Sequence, residues 1–261
     1  MLPGRNKTPV AISMHMMNWS SPSHVFDLCL AWDHSASFYN LSSPTDNGGA
    51  VFLEDSATLN LNDGRFNNTS AYRGGAMYVT SAASVNVAGS VIFSNATATY
   101  DGGAVYCRDR CSLNINNATF WRNAALSPSG GRGGGLYLEN KGTVLNSRGV
   151  LAFFENSANR WGGAFFARDS ATATVNDLLF ERNNVVSYDG AGFYGTDAGV
   201  YLNVTGTASF TSNNATGNGG GIYIQLAAKV LANRLNFTSN WALNGAGAYV
   251  TGLQTIFNCS R

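Results

Sequence analysis

A glycine pair returns eight times along this chain and limits what it can fold into. Gly48, Gly74, Gly102, Gly133, Gly162, Gly190, Gly219 and Gly245 each open a block close to G-[GA]-[AG]-x-[YF], at steps of 26, 28, 31, 29, 28, 29 and 26 residues. A drifting period of that size marks stacked coils whose corners vary in length. One such unit cannot bury its own apolar face, so each copy must be covered by its neighbours.

A second anchor keeps the same phase. Asn40, Asn68, Asn95, Asn123, Asn156, Asn183, Asn213 and Asn240 each precede a glycine pair and follow a phenylalanine. Phe120, Phe153, Phe180, Phe210 and Phe237 give F-x-x-N, whereas Phe38, Phe66 and Phe93 give the tighter F-x-N.

Aligning the blocks on the first glycine turns each column into an environment. The third and fifth places after it are apolar, as in Val105 and Cys107 or Leu136 and Leu138, and strand alternation puts both on one interior face. The fourth place is aromatic in every copy: Phe52, Tyr78, Tyr106, Tyr137, Phe166, Tyr194, Tyr223 and Tyr249. Alternation points these rings outward, and the Ala or Gly two places after the first glycine is expected to make room for them. The expectation is a solvent-accessible aromatic ladder, one ring per coil at roughly 4.8 Å spacing, with Tyr78, Tyr106, Tyr137, Tyr194, Tyr223 and Tyr249 as candidate binding residues.

A second strand follows, clearest at Leu59-Asn60-Leu61, Val85-Asn86-Val87, Leu113-Asn114-Ile115 and Leu202-Asn203-Val204, and a third is expected to end at the corner Phe. The fold class is therefore all-β, a single-stranded right-handed parallel β-helix, a pectate-lyase-like solenoid of about eight coils of 26–31 residues and roughly 38 Å. Residues 38–261 form the repeat domain. Residues 1–37 lack both anchors, hold His15, His24 and His34, and are expected to be partly a cap and partly disordered.

Composition excludes several functions. Only 12% of residues are charged and the formal net charge is +1, so no basic stripe exists to neutralise phosphates and nucleic acid is not an expected partner. Lysine is confined to Lys7, Lys141 and Lys229, and Asn, Ser, Thr and Gly fill the polar positions, as suits an extracellular or cell-surface protein. No run of apolar residues is long enough for a transmembrane helix. Met1-Leu2-Pro3-Gly4-Arg5-Asn6 is followed by no apolar h-region, so an export signal is expected outside this sequence. Eleven N-x-[ST] sequons, from Asn6 to Asn258, mark acceptor sites for glycosylation in a eukaryotic source, though an Asn- and Ser-rich repeat also generates them by composition.

With both anchors in hand, the repeats resemble those of the chlamydial polymorphic membrane proteins, whose signature is GGA[ILV] with F-x-x-N. Phe210-Thr211-Ser212-Asn213 followed by Gly219-Gly220-Gly221-Ile222-Tyr223 is a close copy, and Gly102-Gly103-Ala104-Val105 matches the glycine half. The resemblance covers residues 38–251. It implies an autotransporter passenger displayed on the outer membrane and used in adhesion. The signal peptide and the alternating C-terminal strands of a membrane barrel are not found in this sequence.

Enzymes also use this fold, and seven places after the glycine come Asp55, Ser81, Asp109, Asn140, Asp169, Asp197, Leu226 and Gly252. Asp169 and Asp197 stack in adjacent coils and are the alternative acidic site, with Arg108 and Arg168 as basic partners. The same column of Asp, Ser, Asn and Gly also has the chemistry of a turn. Histidine is absent from every repeat, which removes Ser/His/Asp catalysis and histidine metal sites there, and neither a metal nor a cofactor is expected. Trp121, Trp161 and Trp241 lie near the corners, either packed or free to stack on a sugar. Cys107 and Cys111 flank Arg108-Asp109-Arg110 and form either a corner disulfide or two buried thiols. Cys111 is aligned with Ala57, Ala83, Gly142, Ala171, Gly199 and Ala228.

The functional expectation is a non-catalytic adhesin-like recognition module or stalk, meeting a host or neighbouring cell-surface protein or glycan, at the outer membrane if bacterial. The alternatives are a β-helical polysaccharide lyase or glycoside hydrolase and a purely architectural wall or sheath protein.

Overall fold

The computed structural model describes the short strand Val25–Asp27 and residues 35–259. His15, His24, His34 and Cys29, and most of the expected N-terminal cap, lie outside the described residues. No helix occurs among the described residues, and the strands stack in parallel as a β-helix of about eight turns.

Three sheets run the length of the stack, one of eight strands, one of eleven and one of seven. The first holds the strand after each glycine pair, such as Met77–Val79, Val105–Arg108 and Leu136–Glu139. The second and third strands read from the sequence are not separate in most coils. They fuse into one long strand, as in Ser84–Ser94, Ser112–Trp121 and Val144–Phe154, broken by a register shift at its bend. The third sheet is made of two-residue strands after the corner, such as Thr97–Ala98 and Ala124–Ala125. Two apolar segments separated by two or three polar residues are as compatible with a bulged strand as with a corner, which is why the sequence divided the coil at the wrong place.

The interior columns are buried as their alternation required, from Val51 and Leu53 through Ile222 and Ile224; in the last coil Ala248 is partly exposed and Val250 exposed. Opposite them the corner phenylalanines stack in register from Phe38 to Phe237, with neighbouring ring centroids 4.4 to 5.1 Å apart. Each fully buried Phe contributes roughly 1.5–3 kcal/mol of transfer free energy, so this column is a main source of cohesion between coils. The third place of the glycine block is small because it lies over this inner column: a Cβ on Gly135 would stand 3.0 Å from the Phe153 ring. It does not make room for the outer rings.

The asparagine anchor divides into two structures. Aligned on Phe, the second position after it takes positive φ in every coil: Asn40, Asn68, Asn95, Arg122, Glu155, Arg182, Ser212 and Ser239. The F-x-N asparagines are these left-handed turn residues, a conformation Asn tolerates well. The F-x-x-N asparagines come one position later and turn inward. Asn123, Asn156, Asn183 and Asn213 are fully buried. In each, Nδ2 donates to the carbonyl of a corner Phe and to Oδ1 of the next asparagine, which also accepts the backbone N–H, as Asn156 does to Phe120 and Asn183. Every copy thus satisfies a buried backbone carbonyl and its own amide at once.

Candidate functional site

The outer aromatic ladder forms, but it is not exposed. Neighbouring rings from Phe52 to Tyr249 stack at 4.5 to 5.2 Å with interplanar angles of 13° or less. Tyr106, Tyr137 and Tyr194 retain only 3%, 0% and 5% of their accessible surface, Tyr78 and Tyr223 are also buried, and Tyr249 is partly buried. The expectation of solvent-accessible rings is therefore corrected. The cause lies in the first glycine of each pair. Gly102 takes φ +64, and a Cβ there would sit 2.9 Å from Cβ of Tyr106, so the chain turns directly over the root of the ring. In three coils the residue before the glycine is also a lid, and Arg73 lies over Tyr106 at 5.9 Å. Arg132 lies over Tyr137 at 5.3 Å and Phe166 at 5.6 Å, and Trp161 packs on Tyr194. Alternation assigns a side chain to the outer face; it carries no information about which loop returns across that face.

At the hydroxyl end of the ladder lies a polar cluster centred on Glu139. Strand register places Glu139 between Arg108 and Arg168. Tyr106 donates its hydroxyl to Oε1 and Tyr137 to Oε2, both at 2.7 Å, and the Arg168 guanidinium donates to Oε2 at 2.9 and 3.0 Å. Burial opposes the charge on Glu139, but these donors outweigh it and hold the carboxyl below its ordinary 4.5. Burial first, and the facing carboxylate second, push the Tyr106 phenol well above its ordinary range. The sequence offered the arginines as basic partners of Asp169 and Asp197, and Glu139 was not singled out. The signal was available: Glu139 shares the column of Arg108 and Arg168, two places after the ladder rings Tyr137, Tyr106 and Phe166, and alternation puts all of them on one face.

The column seven places after the glycine is a turn throughout. Asp55, Ser81, Asp109, Asn140, Asp169, Asp197 and Leu226 have φ between 52° and 77°, and Gly252 has φ 87°. Asp169 and Asp197 are neighbours in this stack. Burial and the Asp169 charge raise the Asp197 carboxyl above its ordinary value. Arg168 also lies 3.1 Å from Asp169, whereas Arg108 pairs with Asp109 at 2.5 Å.

Cys107 and Cys111 are joined by a disulfide with Cα atoms 5.9 Å apart, and both side chains are completely buried in the coil interior. The column of Cys111 contains Thr143 and Val200, not Gly142 and Gly199, because those two coils carry an extra glycine at the corner. Trp161 is held between Arg160 and the ladder, while Trp121 and Trp241 are exposed. Among the described residues, no group of three or more His, Cys, Asp or Glu is placed to hold a metal ion, and no helix is long and apolar enough to cross a membrane.

Glycine-turned coils, an inner phenylalanine column and a buried asparagine ladder define a stacked-repeat β-helix in which these recurring residues serve the contact between coils. One copy of the repeat, residues 207–225 with Phe210, Asn213 and the Gly219 block, matches the model of the Chlamydia polymorphic membrane protein repeat. A probable outer membrane protein pmp7 of Chlamydia pneumoniae is 32% identical over 102 residues, a match that spans 36% of this chain and 11% of that protein. No solved structure matches.

Proposed function

We propose that the chain is a surface-displayed passenger segment, a rigid β-helical stalk at the cell surface or outer membrane that presents its outer faces to a protein or glycan of a host or neighbouring cell. The observation that carries this reading is the disposition of the repeating residues. Phenylalanines, tyrosines and asparagines are spent on the joints between coils, which leaves the chemistry of the exterior free to vary from coil to coil. The family repeat and the outer-membrane name of the relative support the location. In this reading the tyrosine row stiffens the rod, and recognition falls to residues outside it. The test has two arms: protease shaving of intact cells that express the protein, and attachment of beads coated with the purified chain. Removal by protease together with bead attachment is expected. A chain protected inside intact cells ends the proposal, and display without attachment favours an architectural role.

One observation favours a second reading, hydrolysis or lyase cleavage of a polysaccharide. Asp197 is a carboxyl of raised proton affinity beside a second carboxylate, Asp169. Polysaccharide cleavage by the purified chain that disappears in the Asp169→Asn/Asp197→Asn double variant would place this reading first.

A further inference from the structure

A groove of about 850 Å³ runs along the outer side of the long sheet, at the bend of its strands. Its lining spans successive coils in strict repeat. One outward column supplies Asn60, Asn86, Asn114, Asn146 and Thr174; the position two residues on supplies Ala88, Asn116 and Arg148. The amides are joined along the axis. Asn86 donates to Oδ1 of Asn60 at 2.8 Å, Asn114 to Asn86 at 3.0 Å and Asn146 to Asn114 at 3.0 Å. Each bond fixes the plane of an amide and occupies one lone pair of its acceptor oxygen, and an amide oxygen has two. The groove therefore presents a row of oriented amide oxygens at Asn86, Asn114 and Asn146, at roughly the 4.8 Å spacing of paired strands.

We infer that this groove binds a linear neutral polysaccharide lying parallel to the axis. Three features select that class. The wall is uncharged apart from Arg148, so neither a polyanion nor a polycation has a matching row of charges. The acceptors want hydroxyl or amide donors, which a glycan supplies at every residue. The array repeats along the axis, so a ligand that itself repeats at a similar length can meet several successive coils at once. An extended peptide advances roughly 3.3 Å per residue and falls out of step within two or three coils. Strand addition is closed to it as well, because the long strands here are paired with the coils on both sides. The inference does not depend on where the protein is displayed and uses none of the ladder tyrosines.

The test is calorimetry on the purified chain with cellohexaose, xylohexaose and chitohexaose, and with an acidic hexasaccharide and an extended hexapeptide as controls. At least one neutral hexasaccharide should bind, and the affinity should fall by tenfold or more in Ala88→Trp, which fills the groove from an exposed position and leaves the amide row in place. A similar loss is expected for Asn86→Ala/Asn114→Ala, with circular dichroism confirming the fold. Failure of all three neutral sugars to bind, binding unchanged by Ala88→Trp, or tighter binding of the acidic sugar or the peptide each overturns the proposal.

Discussion

Asparagine does two jobs in this chain, and a shift of one residue separates them. At Asn68 the backbone is left-handed and the side chain lies at the surface; at Asn183 the side chain is sealed inside and makes bonds to two neighbouring coils. Asn183→Ala removes the donor to the Phe153 carbonyl and the acceptor for both N–H groups of Asn156. At roughly 1–3 kcal/mol per orphaned buried group, the loss should be at least about 3 kcal/mol in guanidinium unfolding, whereas Asn68→Gly should cost under about 1 kcal/mol. The spacing from Phe was legible in the sequence and already distinguished the two motifs. What could not be read was that the turn residue, not the asparagine, is the constant feature. Glu139 gives a second residue-scale test. Its carboxyl is held below 4.5 in the folded chain, so the stability it contributes is present above that value and is lost as the pH falls through its depressed folded range. Thermal melts between pH 6 and 3 should show a decline that Glu139→Gln makes shallower.

The glycine turn and the tyrosine row form one element. Gly103 lies against the carbonyls of Gly134 and Ala124, so Gly103→Ala forces two coils apart and should cost about 1–3 kcal/mol. Ala191 occupies the equivalent place natively, where the packing has adapted, and Ala191→Gly should cost only about 0.5–1 kcal/mol; chemical denaturation of both variants checks the contrast. Burial raises the phenols of Tyr106, Tyr137 and Tyr194. The neutral row is stabilising below the ordinary phenol value of 10, and that contribution is lost above it, as an unfolded chain would ionise first. Absorbance titration should therefore show the ladder phenols ionising only together with unfolding at alkaline pH. The sequence exposed the row itself and its face. The lid escaped it because Arg73, Arg132 and Trp161 share a column with Asp101, Asp189 and Asn218, with no common chemistry to mark the segment as a cover.

In the whole molecule each coil touches only its neighbours, so a defect is felt locally before it is felt globally. Phe153 stacks between Phe120 and Phe180; Phe153→Ala should cost about 3–5 kcal/mol and bring the earliest proteolytic cut to the middle of the rod, as mass spectrometry of the fragments would show. The Cys107–Cys111 bridge closes a loop of sequence separation 4, and its removal by paired Ala substitution should lower stability by about 2 kcal/mol. The asparagine rows have a direction. The buried row donates from Asn123 toward Asn240, while the outer row donates from Asn146 back toward Asn60. Each donor meets the same residue type one turn along, whichever turn that is. Among the coils with F-x-x-N corners, one can therefore be excised or duplicated between equivalent phenylalanines and the phenylalanine and buried asparagine contacts re-form, so recombination within such a gene can alter the reach of the rod while only coil-specific contacts such as those of Glu139 need replacing.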